Sequence, residues 1–277
     1  MTPLLTVRNL NIWFGHSVTG RQVVRDFNLS MKIEKVGIVG ESGSGKSITV
    51  RTLLGLLPSG ASYSADEISF AGSDVTSIDA TARSGFLGRR ASLVLQEPRY
   101  ALNPAMTIGS QIAEVFAFHK KLPWREAHDR AITALEQVRI REPRYVAGLY
   151  PHEVSGGMGQ RAMIAMMLAP DPQLLIADEP TSALDASVEA SVLETLQEQV
   201  TLRGMGVILI SHDLHLVQRF CDRVIVMYQG RIMEACSASD LLGARHPYTR
   251  GLLNCVPRLG QRRRPLPVLQ RDARWAH

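Results

Sequence analysis

The sequence is poor in cysteine. Its 277 residues include three cysteines, and they form no Cys-x-x-Cys pair: Cys221, Cys236 and Cys255. This spacing argues against a disulfide framework and against a thiolate metal site. We therefore expect reduced thiols in a cytoplasmic protein, packed as small hydrophobic side chains.

Long apolar runs are also missing. A membrane-spanning helix needs roughly 18 apolar residues in succession, and residues 162–169, among the longest such runs, are too few. The first eight residues lack a basic flank followed by an apolar stretch, so we expect no secretory signal. The composition is that of a globular protein, with 45% hydrophobic and 21% charged residues.

Net charge is confined to the last stretch of the chain. The formal charge of +5 equals the excess of arginine over acid in residues 258–277, and the rest carries equal numbers of both signs. A nucleic-acid interface needs a basic face on the folded domain, so we expect no nucleic-acid partner. Residues 258–277 are expected to form a flexible basic tail, either solvated or close to anionic lipid or a partner.

Apolar patterning predicts an α/β fold. Residues 36–39, 174–177 and 207–210 are continuous apolar runs, which indicates central strands buried on both faces. The runs at 4–14 and 23–31 alternate instead, which is typical of an antiparallel sheet with one exposed face.

A helical insertion is predicted between these strands. Residues 98–169 contain no strand pattern, but Pro123 and Pro170 mark a helix start and a helix stop. We expect one domain over residues 4–257 with a helical subdomain at about 98–169.

A glycine-rich motif follows the strand predicted at 36–39. It fits Gly-x4-Gly-Lys-Ser, before a helix predicted at 48–57, and consists of Gly40, Glu41, Ser42, Gly43, Ser44, Gly45, Lys46 and Ser47, with Ile48 next. Such glycines let backbone N–H groups face phosphates at the positive end of a helix. Lys46 is expected to reach the β- and γ-phosphates, and Ser47 to ligate Mg²⁺. The motif predicts a nucleotide site, with a chance glycine-rich turn as the alternative.

Two carboxylates end the strand predicted at 174–177. Asp178 is expected to bind Mg²⁺ through its water shell, and Glu179 to polarise the attacking water. The alternative is a strand that ends in a polar turn before Pro180.

A further motif resembles the signature of the ABC-type ATPases. It runs Ser155-Gly156-Gly157-Met158, although these residues could also merely cap the following helix. The order of the other motifs matches that family: Gln96 stands at a Q-loop, Ser182-Ala183-Leu184-Asp185 at a D-loop, and His212 at the switch histidine. The resemblance covers residues 4–256.

The resemblance implies a P-loop NTPase of RecA-like fold that hydrolyses ATP with Mg²⁺. Metal ligands would be Ser47, Gln96 and Asp178, and catalytic groups Glu179, His212, Gln96 and Lys46. A second ATPase subunit, a paralogue or the same chain, would close the site head-to-tail with its Ser155, Gly156, Gly157 and Asp185. Phe14 would stack on adenine, unless this strand-ending aromatic belongs to the core.

Two stretches are similar to the peptide and nickel importers of the family. They are the Q-loop region at 96–112 and the segment His246-Pro247-Tyr248-Thr249-Arg250. Implied partners are two permease subunits and an extracytoplasmic binding protein, with the ATPase on the cytoplasmic face of the inner membrane. The alternatives are an exporter ATPase and a soluble ABC ATPase, for example one acting in phosphonate breakdown.

Overall fold

A computed structural model of the chain describes residues 2–15, 20–182, 184–255, 269, 271–272 and 275. The fold divides into two compact units. The first unit comprises Met1–Ser84 with Ile208–His277, and the second comprises Gly85–Val207. The tail predicted at 258–277 lies outside the described residues except at positions 269, 271, 272 and 275.

The first unit contains an antiparallel sheet. Its order is β2-β1-β5-β6, and β4 also pairs with β1. The strands are β1 (Leu5–Phe14), β2 (Arg21–Met31), β4 (Ala61–Ser64), β5 (Glu67–Phe70) and β6 (Ser73–Asp74). Burial alternates along the second half of β2, from Asp26 to Met31, as expected of a sheet with one exposed face. The predicted antiparallel flank is therefore confirmed.

A second sheet of mixed orientation supports the glycine-rich loop. Strand β3 (Lys35–Val39) pairs in parallel with β10 (Arg223–Tyr228), and β10 pairs antiparallel with β11 (Arg231–Ser237). On its other side β3 neighbours β9 (Gly206–Ser211). Residues of β3, β9 and β10 are buried almost throughout, as the continuous apolar runs predict.

Helices of the first unit follow these strands. They are α1 (Lys46–Leu53), α8 (Leu214–Phe220) and α9 (Pro247–Cys255), while α2 (Ala80–Leu87) crosses the division between the units. Helix α1 begins two residues before the predicted start and ends four before the predicted end. Helix α8 packs closely on β3, since a β-carbon added at Gly37 would lie 2.1 Å from Cγ1 of Val217.

A buried arginine ties α1 to the antiparallel sheet. Arg83 is fully buried, and its guanidinium donates to the carbonyl oxygens of Val75 at 3.0 Å and Thr76 at 3.0 Å. It also approaches the carbonyl oxygen of Thr52, in the last turn of α1, at 3.5 Å. Carbonyl acceptors thus offset the desolvation of this charge and hold the helix that follows the glycine-rich loop.

The second unit is largely helical. A parallel pair, β7 (Ala91–Val94) and β8 (Leu174–Asp178), lies beside the helices α3 (Ile108–Lys120), α4 (Trp124–Gln137), α5 (Pro143–Ala147), α6 (Gly156–Leu168) and α7 (Ala186–Arg203). Every residue from 98 to 169 is described and none is in a strand, as the sequence pattern predicts. The α/β class with sheets of mixed orientation is confirmed.

The described cysteines are free thiols. Cys221 is buried, and burial raises its pKa to about 12, so this thiol is inert at neutral pH. No helix in the described part of the chain is both long and apolar enough to cross a membrane.

Candidate functional site

The glycine-rich loop makes a close turn between β3 and α1. At Gly40 φ is 151°, and a β-carbon there would lie 2.1 Å from the carbonyl oxygen of Met227. Gly45 has φ 99° and caps α1 in the left-handed region. Glycine is required at both positions because no larger residue fits the contact or adopts these angles without strain.

Lys46 lies inside this loop. It is 6% exposed, and its Nζ donates to the carbonyl oxygens of Gly40 at 2.8 Å and Glu41 at 2.9 Å. The first turn of α1 holds no acidic side chain, while Ser42 and Gly43 are exposed. A buried ammonium beside a helix N-terminus that no side chain caps makes an electropositive environment that suits phosphate.

Phe14 ends β1 with its ring largely open to solvent. It is 46% exposed, so it is not a core residue, and the alternative of a packing role is wrong. An exposed aromatic ring at a strand end can stack on a planar ligand.

Gln96 and the carboxylates of Asp178 and Glu179 belong to the second unit. Strands β7 and β8 pair in parallel, with Val94 opposite Ala177. Because parallel strands end at the same edge, Gln96 and Asp178 follow at one edge of the pair. Asp178 is 5% exposed and Gln96 is exposed.

Glu179 has an unusual backbone conformation. Its φ is 49°, in the left-handed region, where a non-glycine residue costs roughly 1–2 kcal/mol. Its carbonyl oxygen accepts hydrogen bonds from N–H and Oγ of Ser182. Eight other described non-glycine residues also have a positive φ, so this strain does not by itself separate a catalytic carboxylate from an ordinary polar turn, and both interpretations of Glu179 stay open.

The signature motif starts α6. Ser155 is the N-cap, and its Oγ accepts from the N–H of Met158 at 3.3 Å. The capping interpretation is thus correct, and it leaves a helix N-terminus whose first turn has no acidic side chain. Ser155 and Gly156 are both exposed. Capping and anion binding are compatible, because a capped N-terminus keeps its positive dipole end.

Asp185 lies next to the signature. It caps α7 by accepting from the N–H groups of Ser187 and Val188, both at 3.1 Å. The Ser187 hydroxyl also donates to this carboxylate. The hydrogen bond from this hydroxyl, and then those from the backbone N–H groups, lower the pKa of Asp185. A β-carbon at Gly157 would lie 2.5 Å from Cγ1 of Val188, so α6 and α7 touch at their first turns. The adjacent D-loop residue Ala183 is outside the described residues.

One positioning residue of this arrangement was not predicted. Arg161, in α6, donates to the carbonyl oxygen of Val138 at 2.6 Å and to the hydroxyls of Thr195 and Ser191 on α7. Burial lowers its pKa. It holds α6 on α7, and thereby the signature beside Asp185. No local pattern signals this role, since its partners lie 23 to 34 residues away.

The predicted residues fall into two sets. The first unit holds Phe14, the loop from Gly40 to Ile48, and His212, which is exposed after β9. The second unit holds Gln96, Asp178 and Glu179, and separately Ser155, Gly156, Gly157 and Asp185.

The chain matches a known family. The family model described as ABC transporter matches residues 24–182. The oligopeptide transport ATP-binding protein AppD of Bacillus subtilis is 42% identical over 261 residues, covering 93% of this chain and 79% of AppD. The probable D,D-dipeptide transport ATP-binding protein DdpD of Escherichia coli is 43% identical over 248 residues, covering 87% of this chain and 75% of DdpD.

A solved structure has the same fold. The structure of cbiO1 from Clostridium perfringens, part of the ABC transporter complex cbiONQ, aligns with a TM-score of 0.74 at 26% identity. The alignment covers 88% of this chain and 92% of cbiO1. The chain therefore belongs to the ABC transporter family, as an ATP-hydrolysing subunit of the branch that contains the oligopeptide and dipeptide transport ATP-binding proteins.

Proposed function

We propose that this ATPase energises an importer that takes up peptides, nickel or a metal chelate through two permease subunits. The observation that carries the proposal is 42% identity across 93% of the chain to a protein named for oligopeptide transport. That name favours peptides over nickel and metal chelates. A substrate-binding protein outside the membrane would deliver the molecule, and the ATPase would lie on the cytoplasmic face of the inner membrane. Nucleic acid is not a partner.

The alternatives are less well supported. An exporter ATPase or a soluble ABC ATPase of a non-transport complex would share the phosphate loop and the signature. The relatives described above are named for transport of oligopeptides and D,D-dipeptides, and neither name points to export or to phosphonate breakdown.

ATP binds, in this proposal, on the loop from Gly40 to Ser47 and on Ile48. Backbone N–H groups of the loop and the Nζ of Lys46 hold the phosphates. Lys46 is buried, and the loop N–H groups lie beside the N-terminus of α1, whose positive dipole end favours anions. Phe14 stacks on the adenine. His212 holds the γ-phosphate and the attacking water.

The side chains proposed as metal ligands fit Mg²⁺. Ser47, Gln96 and Asp178 offer a hydroxyl, an amide and a carboxylate oxygen, which are hard ligands. Among the described residues, no three His, Cys, Asp or Glu side chains cluster as a metal site, which agrees with an ion held largely by substrate phosphates. Magnesium, when bound, neutralises phosphate charge. Glu179 orients and polarises the attacking water.

The site is completed, in this proposal, by a second ATPase subunit, either a paralogue or another copy of the chain. Ser155 and Gly156 are exposed at the positive end of α6, where a γ-phosphate bound to the partner would complete the set of hydrogen bonds. Asp185, which lies beside them and is exposed, would organise the interface.

Mixed dimers test which site Ser155 serves. In dimers of two differently tagged copies, one carries Glu179→Gln. When the other copy carries Ser155→Ala, both changes fall in one composite site, and we expect about half the wild-type ATPase rate. When one copy carries both changes, Glu179→Gln inactivates the site of that copy and Ser155→Ala impairs the site of its partner. We expect the rate of the partner's site to fall about 10- to 100-fold, the effect of one lost hydrogen bond to a charged group.

The reverse order of the two mixed dimers would contradict a role in the partner's site. Thr107→Ala is the matched control for the lost cap. Thr107 caps α3 in the same unit by accepting from the N–H of Ser110, and its loss is expected to leave the rate of either dimer unchanged.

A groove in the second unit is the proposed permease contact. It has a volume of about 330 Å³ and is lined by Pro98, Leu102, Pro104, Pro151, Val154 and Gln160, and also by the signature residues Ser155 and Gly156. Gln160 is buried, and among the described residues its Nε2 has no hydrogen-bond partner. An apolar groove with a buried donor suits a short helix whose terminal carbonyl groups are free. Arg99 and Glu97 also line the groove and pair with each other.

The transport proposal is tested by isolating the chain from membranes and by measuring uptake. We expect it to copurify with integral permeases, and its deletion to abolish uptake of labelled oligopeptide. Arg99→Glu, which reverses a charge in the groove, is expected to weaken association and uptake. Arg130→Glu, an exposed reversal on α4, is the control and is expected to preserve both. Recovery only in a complex without permeases, with uptake intact after deletion, would contradict import.

A further inference from the structure

Glu41 is bonded by the protein at all of its polar groups. Its N–H donates to Oη of Tyr248 at 3.2 Å, and its carbonyl oxygen accepts from Nζ of Lys46 at 2.9 Å and from the N–H of Ser44 at 3.2 Å. Its carboxylate accepts from Nη2 of Arg271 at 2.7 Å. The second residue of the phosphate loop is therefore anchored to the C-terminal part of the chain.

Tyr248 is well placed to act as this anchor. It is 0% exposed, in the first turn of α9, and its ring centroid lies 4.6 Å from that of Tyr228 and 5.7 Å from that of Trp275. Burial raises the pKa of Tyr248 to about 12. The hydroxyl thus stays protonated at neutral pH, and the packed ring fixes where its oxygen lies.

The segment before Tyr248 is itself fixed to β11. The carboxylate of Glu234 accepts from the N–H groups of Arg245 at 2.7 Å and His246 at 3.2 Å. Burial raises the pKa of Glu234, but these hydrogen bonds outweigh burial and lower it. His246 Nδ1 in turn accepts from the N–H of Tyr248. The tyrosine is therefore held from both its backbone and its ring.

The two bonds to Glu41 from the C-terminal region differ in strength. The Arg271 side chain is 63% exposed, and exposed ion pairs contribute little because water and salt screen them. The Tyr248 hydroxyl makes a partly buried contact, where an unpaired N–H is more costly than at the surface. The hydroxyl is therefore the stronger of the two contacts from the C-terminal region to Glu41.

We propose that Tyr248 is a positioning residue for ATP binding, which holds the start of the phosphate loop through the Glu41 N–H. The proposal rests on binding of ATP phosphates by that loop. Tyr248 does not touch the nucleotide; it acts through Glu41. In this proposal the motif His246-Pro247-Tyr248-Thr249-Arg250 supports the nucleotide site, because its Tyr248 contacts Glu41, which lies 207 residues earlier in the chain.

Tyr248→Phe is the test, because it removes the hydroxyl and keeps the ring. In the assembled transporter we expect KM for ATP to rise about 3- to 10-fold for one lost hydrogen bond, with kcat within about twofold of wild type. Hydrogen exchange at the Glu41 amide is expected to accelerate by about tenfold or more, while amides of β3 keep their protection. A purely structural tyrosine would instead lower the fraction of active protein, and so kcat, without changing KM.

Tyr228→Phe is the matched control. Tyr228 belongs to the same aromatic cluster, but its hydroxyl accepts from Nε2 of Gln229 rather than from the loop, so KM is expected to stay unchanged. Unchanged KM and unchanged Glu41 exchange in Tyr248→Phe would overturn the proposal, as would failure of that variant to fold. Lys46→Ala separates the premise from the inference: if it leaves nucleotide affinity unchanged, the loop does not hold the phosphates.

Discussion

Glu179→Gln is expected to lower ATP turnover by about 10²- to 10⁴-fold, the range that a catalytic proton acceptor contributes. Glutamine keeps the size of the side chain but cannot accept a proton or carry the negative charge that polarises water. The left-handed φ of 49° is a property of the backbone turn after β8, and an isosteric amide leaves that turn intact. Nucleotide binding should therefore persist.

The measurements are steady-state ATPase activity, nucleotide titration and size-exclusion chromatography with ATP. We expect unchanged affinity, stalled hydrolysis and a larger closed-dimer fraction. Glu194→Gln is the control: Glu194 is an exposed carboxylate on α7 that pairs with Arg139, and its loss should leave turnover unchanged. Turnover close to wild type in Glu179→Gln would show that another group activates the water.

Lys46→Ala is expected to weaken nucleotide binding itself, by about 10- to 100-fold, the equivalent of one hydrogen bond to a charged group. Lys46 is the buried cation of the loop, and its Nζ is held by loop carbonyl oxygens of Gly40 and Glu41. A methyl group leaves those carbonyl groups without the donor and removes the positive charge that is proposed to bind the phosphates.

Affinity is measured by titration with ATP, and thermal unfolding shows whether the loop remains folded. Lys32→Ala removes an exposed lysine before β3 and should bind ATP as wild type does. An unchanged affinity in Lys46→Ala, with wild-type thermal stability, would exclude the lysine from the phosphate site.

Two helices of the second unit, α6 and α7, show which local sequence signals predict a helix. Helix α6 begins at Gly156, because the Ser155 cap lets both glycines of the signature adopt helical geometry. Helix α7 was not predicted, although Asp185 caps it, Gly204 ends it, and Val188, Val192, Leu196 and Val200 recur at every fourth residue. That stripe is a local signal that was available in the sequence.

Short strands were missed for a different reason. Strand β6 has two residues, too few for a period to be recognised. Strand β4 exists because it pairs with β1, and β6 because it pairs with β5. Their formation depends on neighbours in space, which no local window contains.

Contiguous motifs identify the chemistry of this protein without any tertiary information. The loop from Gly40 to Ser47, the carboxylates Asp178 and Glu179 and the signature from Ser155 are contiguous motifs, because phosphate binding needs successive N–H groups and a helix N-terminus next to one another in the chain. An ATPase of the ABC family can therefore be recognised before any coordinates are known.

The contacts that hold these motifs in place become visible in the folded structure. Tyr248 reaches Glu41 across 207 residues, and Arg161 joins α6 to Val138 and to α7. Exposure also separated a solvent-facing Phe14 from a core aromatic. Such contacts depend on packing between segments that are distant in the chain, and local sequence carries no periodic or capping signal for them.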